Sequence, residues 1–152
     1  MQTAFLVIFC ASLLIGVSGK TKFEFTGTIY CDRPDFRYKI VVYEDDPYKD
    51  DVINVPDYKW SNGRTEPYLI TAEEDDDGPI NLDGTFEIYF SIFHDCTPKR
   101  DHYVFRYDIG NFPVDNKLHQ KHIPLINVTN LGKKSDTTMG TRRFAGTTDL
   151  DE

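Results

Sequence analysis

Apolar and polar positions alternate over residues 22–32. Phe23, Phe25, Gly27, Ile29 and Cys31 fall on one side, and Lys22, Glu24, Thr26, Thr28 and Tyr30 on the other. A period of two is the mark of a half-buried strand, because successive side chains of an extended chain point to opposite faces. Arg33-Pro34-Asp35 interrupts the run. Residues 36–43 resume it, with Phe36, Tyr38, Ile40 and Val42 against Arg37, Lys39, Val41 and Tyr43, and Glu44-Asp45-Asp46-Pro47 closes it as a turn. The clearest strand is 85–96: Phe86, Ile88, Phe90 and Ile92 face one way, Thr85, Glu87, Tyr89 and Ser91 the other. Residues 103–109 alternate again and stop at Gly110-Asn111. Residues 68–71 suggest a short strand halted by the acidic run that starts at Glu73, and 122–129 a last one that Pro124 confines to an edge or a bulge. Between 48 and 65 the pattern is irregular, with an apolar piece at 52–55, the single Trp60 and an Asn62-Gly63 turn signal.

No segment carries a helical period. Several short strands separated by turns predict an all-β fold, a two-sheet sandwich with one core. Eleven phenylalanines and nine tyrosines suit such a core. From Lys133 onward the alternation ceases and small, polar and charged residues dominate, so 133–152 reads as a disordered tail and 20–132 as the folded domain.

The first residues differ from the rest. No charge occurs before Lys20, and residues 4–17 are mostly apolar. That stretch is short for a membrane span, which needs about 20 apolar residues. It ends in Val17-Ser18-Gly19, the small residues a signal peptidase reads. Residues 1–19 are therefore expected to be a signal peptide cleaved after Gly19, leaving a secreted chain without a transmembrane anchor. The formal net charge of −8 argues against nucleic acid, whose phosphates require basic patches.

Cys10 leaves with the signal peptide. Cys31 and Cys96 remain for an oxidising compartment and are expected to pair, the alternatives being two free thiols or an intermolecular bridge.

Three motifs in order resemble the nematode transthyretin-like family. They are Thr26-Gly27-Thr28-Ile29-Tyr30-Cys31 followed by a proline and a strand into an Asp-rich loop, then Asp83-Gly84-Thr85-Phe86, then Ile92-Phe93-His94-Asp95-Cys96. The resemblance spans roughly residues 23 to 131. The chain lacks the further cysteine usual after the His-x-Cys segment, and its Pro67-Tyr68-Leu69-Ile70 stretch resembles a segment that in the family lies just before the His-x-Cys but here precedes Asp-Gly-Thr-Phe, so it looks like a divergent member. The resemblance implies a transthyretin-like, immunoglobulin-like β-sandwich, secretion and a role in binding.

Other chemistry is weakly supported. His94 beside Cys96 offers two zinc ligands where about four are needed. His119 and His122 would share a face only on a helix. The acidic positions 73, 75 and 77 before Gly78 resemble the start of a calcium loop, but Gly84 stands where the bidentate glutamate belongs. A looser calcium site with Asp45, Asp46, Asp50 and Asp51 stays open. There is no Gly-x-Ser-x-Gly, so no enzyme, metal or cofactor is expected. Asn127-Val128-Thr129 is a glycosylation sequon. Gly132-Lys133-Lys134 and Arg142-Arg143 are dibasic pairs.

The expected function is that of a secreted, extracellular binding module, with Tyr30, Tyr43 and Tyr89 on its outer faces. Its partner, whether extracellular protein, lipid or small molecule, and its oligomeric state are left open. The alternatives are a secreted precursor or signalling protein whose tail is active, and a small-hydrophobic-ligand carrier.

Overall fold

The computed structural model describes residues 19–47, 49–75 and 84–136. Nine strands follow one another among them: β1 (Thr21–Tyr30), β2 (Phe36–Glu44), β3 (Asp51–Asn54), β4 (Lys59–Ser61), β5 (Thr65–Glu74), β6 (Thr85–His94), β7 (Tyr103–Pro113), β8 (Leu118–Asn127) and β9 (Lys133–Lys134). The smaller sheet has the order β5-β1-β8, and the larger β3-β2-β6-β7-β9, with β4 also paired to β2. The two sheets pack as a β-sandwich. Among the described residues no helix is long and apolar enough to cross a membrane.

The alternation dictates which faces meet. In β1, Phe23, Phe25 and Ile29 are buried while Lys22 is exposed and Glu24, Thr26 and Thr28 are half-buried. In β6, Phe86, Ile88, Phe90 and Ile92 are buried. Rings from the two sheets interlock edge to face: Phe23 on Phe86 at 5.7 Å and Phe25 on Phe90 at 5.3 Å between centroids. Such pairs add about 0.5–1.5 kcal/mol beyond the area they bury.

Five strands within the expected domain depart from the sequence reading. The irregular stretch 48–65 contains β3 and β4, short strands lying along β2. The segment expected at 68–71 is a ten-residue strand matched to β1 along its whole length, from Thr21 opposite Glu74 to Tyr30 opposite Thr65. Its acidic end is accommodated by cations: Lys22 lies opposite Glu73, and Lys20 Nζ is 2.9 Å from Glu73 Oε1. β7 continues past Gly110 because the register shifts between Ile88 and Tyr89, which makes this glycine part of a bulge and not a terminus. β8 starts at Leu118, earlier than expected, and runs parallel to β1.

Pro124 lies where its missing N–H demands. β8 is an edge strand, and its register against β1 shifts between Gly27 and Ile29. At that irregularity the backbones come close, and a Cβ on Gly27 would stand 2.0 Å from the Ile123 carbonyl oxygen. Only glycine fits.

The boundary placed at Gly132 requires correction. Lys133 and Lys134 pair with Val104 and Tyr103, and the Ser135 N–H donates to the His102 carbonyl at 2.8 Å. Backbone hydrogen bonds to the open edge of β7 need no apolar side chains, so composition did not announce them. The expected signal peptide up to Ser18, the rest of the expected tail from 137, and 76–83 of the acidic loop lie outside the described residues.

Candidate functional site

Cys31 follows β1 of the smaller sheet and Cys96 follows β6 of the larger. They form a disulfide with a Cα–Cα distance of 6.0 Å, fully buried at one end of the sandwich. His94, also fully buried, braces this end. Its Nδ1 accepts the Cys96 N–H at 3.2 Å and its Nε2 lies 3.0 Å from the Leu131 carbonyl, so Nε2 carries the proton. Burial holds the His94 pKa below the ordinary histidine value. With both ring nitrogens engaged and both sulfurs in the bridge, these residues are a structural brace and not a zinc donor set. The segment after β8 is tied to the same end: Val128 N–H donates to Tyr30 O at 2.8 Å and Asn130 N–H to Cys96 O at 3.0 Å.

Asp95 completes the brace. Its side chain is 3% exposed and takes the Arg37 backbone N–H at 2.8 Å and Arg37 Nε at 2.9 Å, while Arg100 Nη1 stands 3.6 Å away. Arg100 Nη2 also pairs with Asp35 at 2.9 Å. Charged hydrogen bonds of this kind stand well above neutral ones in strength.

On the outer face of the larger sheet, Tyr43 and Tyr89 lie opposite one another on β2 and β6. Their rings stack at 5.2 Å with 6° between planes. Arg106 of β7 lies over the other side of Tyr89, its Cζ 3.8 Å from the ring centroid, and is held by Asp45 at 2.5 Å and Asp108 at 2.6 Å. The Tyr89 hydroxyl donates to Asp50 at 2.5 Å. Burial, then this bond to a carboxylate, raises the Tyr89 pKa, and the Asp45 bond raises that of Arg106. Two further cation–aromatic pairs continue along the same sheet, Arg37 over Trp60 at 4.9 Å and Lys39 over Tyr58 at 5.3 Å. Beside Tyr89 and Arg106 a shallow groove of about 420 Å³ runs to Gly132 and Lys133. Of the three tyrosines expected on outer faces, Tyr43 and Tyr89 come together and Tyr30 does not: it belongs to the smaller sheet, opposite Asn127 and Thr65. Arg106, Arg37 and Tyr58 were not anticipated as members of this face. Their signal exists only across strands, once register is known.

The remaining candidates separate. His119 packs beside Phe23 and Phe112 and binds Asp115 at 2.8 Å, whereas His122 is exposed and meets Thr26 Oγ1 at 3.0 Å. A strand sends residues three apart to opposite faces. Asn127 is exposed at the end of β8, its Oδ1 accepting the Thr129 N–H at 3.0 Å, and Thr129 Oγ1 accepts the Asp32 N–H at 3.0 Å. Lys133-Lys134 is folded into β9, and Arg142-Arg143 lies outside the described residues.

These features define a two-sheet β-sandwich pinned at one end by a disulfide, with a cation–aromatic array across its larger outer face. No family model matches the chain, and no solved structure matches it. The chain is similar to uncharacterized protein B0416.7 of Caenorhabditis elegans, with 33% identity over 132 residues that cover 86% of this chain and 94% of the relative. It belongs to the same family as that nematode protein.

Proposed function

We propose that the protein is a secreted, extracellular binding module of the transthyretin-like type that engages its partner through the outer face of the larger sheet. The observation that carries this reading is the stacked Tyr43–Tyr89–Arg106 cluster, in which the half-buried Tyr43 and the exposed Arg106 present the surface and Tyr89, only 7% exposed, supports them. Tyrosine and arginine combine large contact area with polar tips, which is why binding surfaces are enriched in them. Here they are already fixed by Asp45, Asp50 and Asp108, so little side-chain freedom is lost on binding. Secretion is supported by the uncharged apolar stretch 4–17 and by a disulfide of the kind that persists in oxidising compartments. The two-sheet sandwich is the architecture that the transthyretin-like motifs imply, and the exposed Asn127 sequon is compatible with a glycan.

The test is capture from the organism's own extracellular fluid with the oxidised protein and with an Arg106→Glu form. A partner held by the first and lost by the second is expected. Identical captures would remove the outer face from consideration. Mass analysis of the secreted protein should find its N-terminus at or near Lys20.

A further inference from the structure

Asn127, which opens the sequon Asn127-Val128-Thr129, is the partner of Tyr30 across the parallel pairing of β1 with β8. The preceding residues on the two strands, Ile29 and Ile126, are buried. Alternation therefore sends Tyr30 and Asn127 outward together, on strands about 4.8 Å apart. Tyr30 is half-buried and Asn127 exposed. The segment that carries the sequon is fixed in place: Val128 is fully buried, and its N–H donates to Tyr30 O at 2.8 Å. Asn127 Oδ1 accepts the Thr129 N–H at 3.0 Å, while among the described residues Asn127 Nδ2 donates to nothing. The amide is thus held by its oxygen, with its nitrogen left over.

The surroundings are uncharged and partly apolar. Thr28 and Tyr30 lie opposite Pro67 and Thr65 of β5, and Leu125 of β8 is 52% exposed. A single exposed apolar residue needs no explanation, but Tyr30, Pro67 and Leu125 share one end of the smaller sheet. A tyrosine ring offers an apolar body with a polar tip. The C–H face of a pyranose ring fits such a surface, and the first sugar on Asn127 would start within reach of it.

We infer that Asn127 carries an N-linked glycan whose first N-acetylglucosamine lies on the Tyr30 ring and covers this end of the smaller sheet. The donor is a lipid-pyrophosphate-linked oligosaccharide of the secretory pathway. Asn127 Nδ2 attacks its anomeric carbon, the C–N bond forms, the C–O bond to pyrophosphate breaks, and the lipid pyrophosphate leaves with the amide proton. The inference rests on the secretion proposed above and not on the choice of the larger sheet as the partner face. With one outer face under sugar, the face of the larger sheet is the one left open.

The full chain is expressed in cells that build only oligomannose glycans, and protein is recovered from the medium. Its intact mass should show one glycan, absent from Asn127→Gln. An endoglycosidase that leaves the first sugar in place should not move the melting temperature. An amidase that removes that sugar too, converting the asparagine to an aspartate that still accepts the Thr129 N–H, should lower it by about 3 °C. In Tyr30→Thr, which keeps a residue suited to strands, the amidase effect should shrink to less than about 1 °C, whatever the variant's own midpoint. Proton signals of the first sugar in the trimmed protein should be shifted upfield by the Tyr30 ring, a measurement that needs no variant. Secreted protein at the unmodified mass would overturn this inference alone, and a chain found only inside the cell would overturn secretion with it. An equal amidase effect in Tyr30→Thr, or unshifted sugar signals, would overturn the packing on Tyr30.

Discussion

Opening the Cys31–Cys96 bridge should cost the fold about 4 kcal/mol. The bond closes a stretch with a sequence separation of 65 residues, and the loss of chain entropy in the unfolded state for a loop of that length comes to roughly 4 kcal/mol. It also joins the two sheets, since Cys31 follows β1 and Cys96 follows β6. For a domain of this size each kcal/mol moves the melting midpoint by about 4 °C, so reduction should lower it by about 15 °C. The comparison is oxidised against reduced protein by calorimetry, with Cys31→Ala/Cys96→Ala as the form that cannot re-form the bond. The alanine pair should melt at or slightly below the reduced protein, because it also leaves small voids among buried neighbours. A drop of less than about 3 °C would refute the entropy argument. It would place the hold on this end in the Val128–Tyr30 and Asn130–Cys96 backbone bonds instead.

His94 should make stability depend on pH. Its folded pKa lies below the unfolded value near 6.5, so its contribution is complete above about pH 6.5 and is lost as pH falls, by up to about 1.4 kcal/mol per pH unit. Denaturant titrations between pH 7.5 and 5 should show this slope, and His94→Gln should flatten it. Gly27→Ala should destabilise by about 1–3 kcal/mol, since the new methyl meets the Ile123 carbonyl at 2.0 Å; an unchanged midpoint would mean that β8 slides freely along β1. Asp95→Ala should cost about 3 kcal/mol, because the carboxylate is almost wholly buried between Arg37 and Arg100. Arg106→Gln, whose ion pairs are about half exposed, should cost less than about 1 kcal/mol in the same assay; a reversed order would place the structural brace on the outer face.

The inner faces of β1, β2 and β6 were readable because each turns one apolar side to the core; burial follows period two throughout β1 and departs from it only at Val41 in β2 and Tyr89 in β6. β5 was underestimated. Its acidic end meets Lys22 of β1 and Lys20 just before it, about fifty residues away in sequence, so no local pattern announced the pairing. β9 was invisible because it is held by backbone groups, with two lysine side chains that report nothing about pairing. For the outer face, Tyr43 and Tyr89 were legible as outward residues, but their stacking with Arg106 depends on the registers of β2 with β6 and of β6 with β7. That second register contains a shift between Ile88 and Tyr89, which no count along the chain would supply.

The polar contacts divide the sandwich lengthwise. At the disulfide end the groups are buried and mutually dependent: the bridge, His94, and Asp95 between two arginines. Toward the opposite end the loop after β2, the start of β3 and the end of β5 carry Asp45, Asp46, Asp50, Asp51, Glu73, Glu74 and Asp75. Among these, the ion pairs given by Asp45 and Glu73 are solvent-exposed. Buried charge networks resist substitution because each partner left behind is costly, whereas exposed pairs contribute little and are screened by salt. The Tyr43–Tyr89–Arg106 cluster draws its supports, Asp45 and Asp50, from the second kind of end. Residues there can change without loosening the strands beneath them, because the register of β2 on β6 is already locked at the other end, where Asp95 takes the Arg37 N–H. A rigid, covalently pinned base and a replaceable charged rim around stacked aromatics together would allow one scaffold, in the binding role proposed for it, to alter its outer face while keeping how it folds.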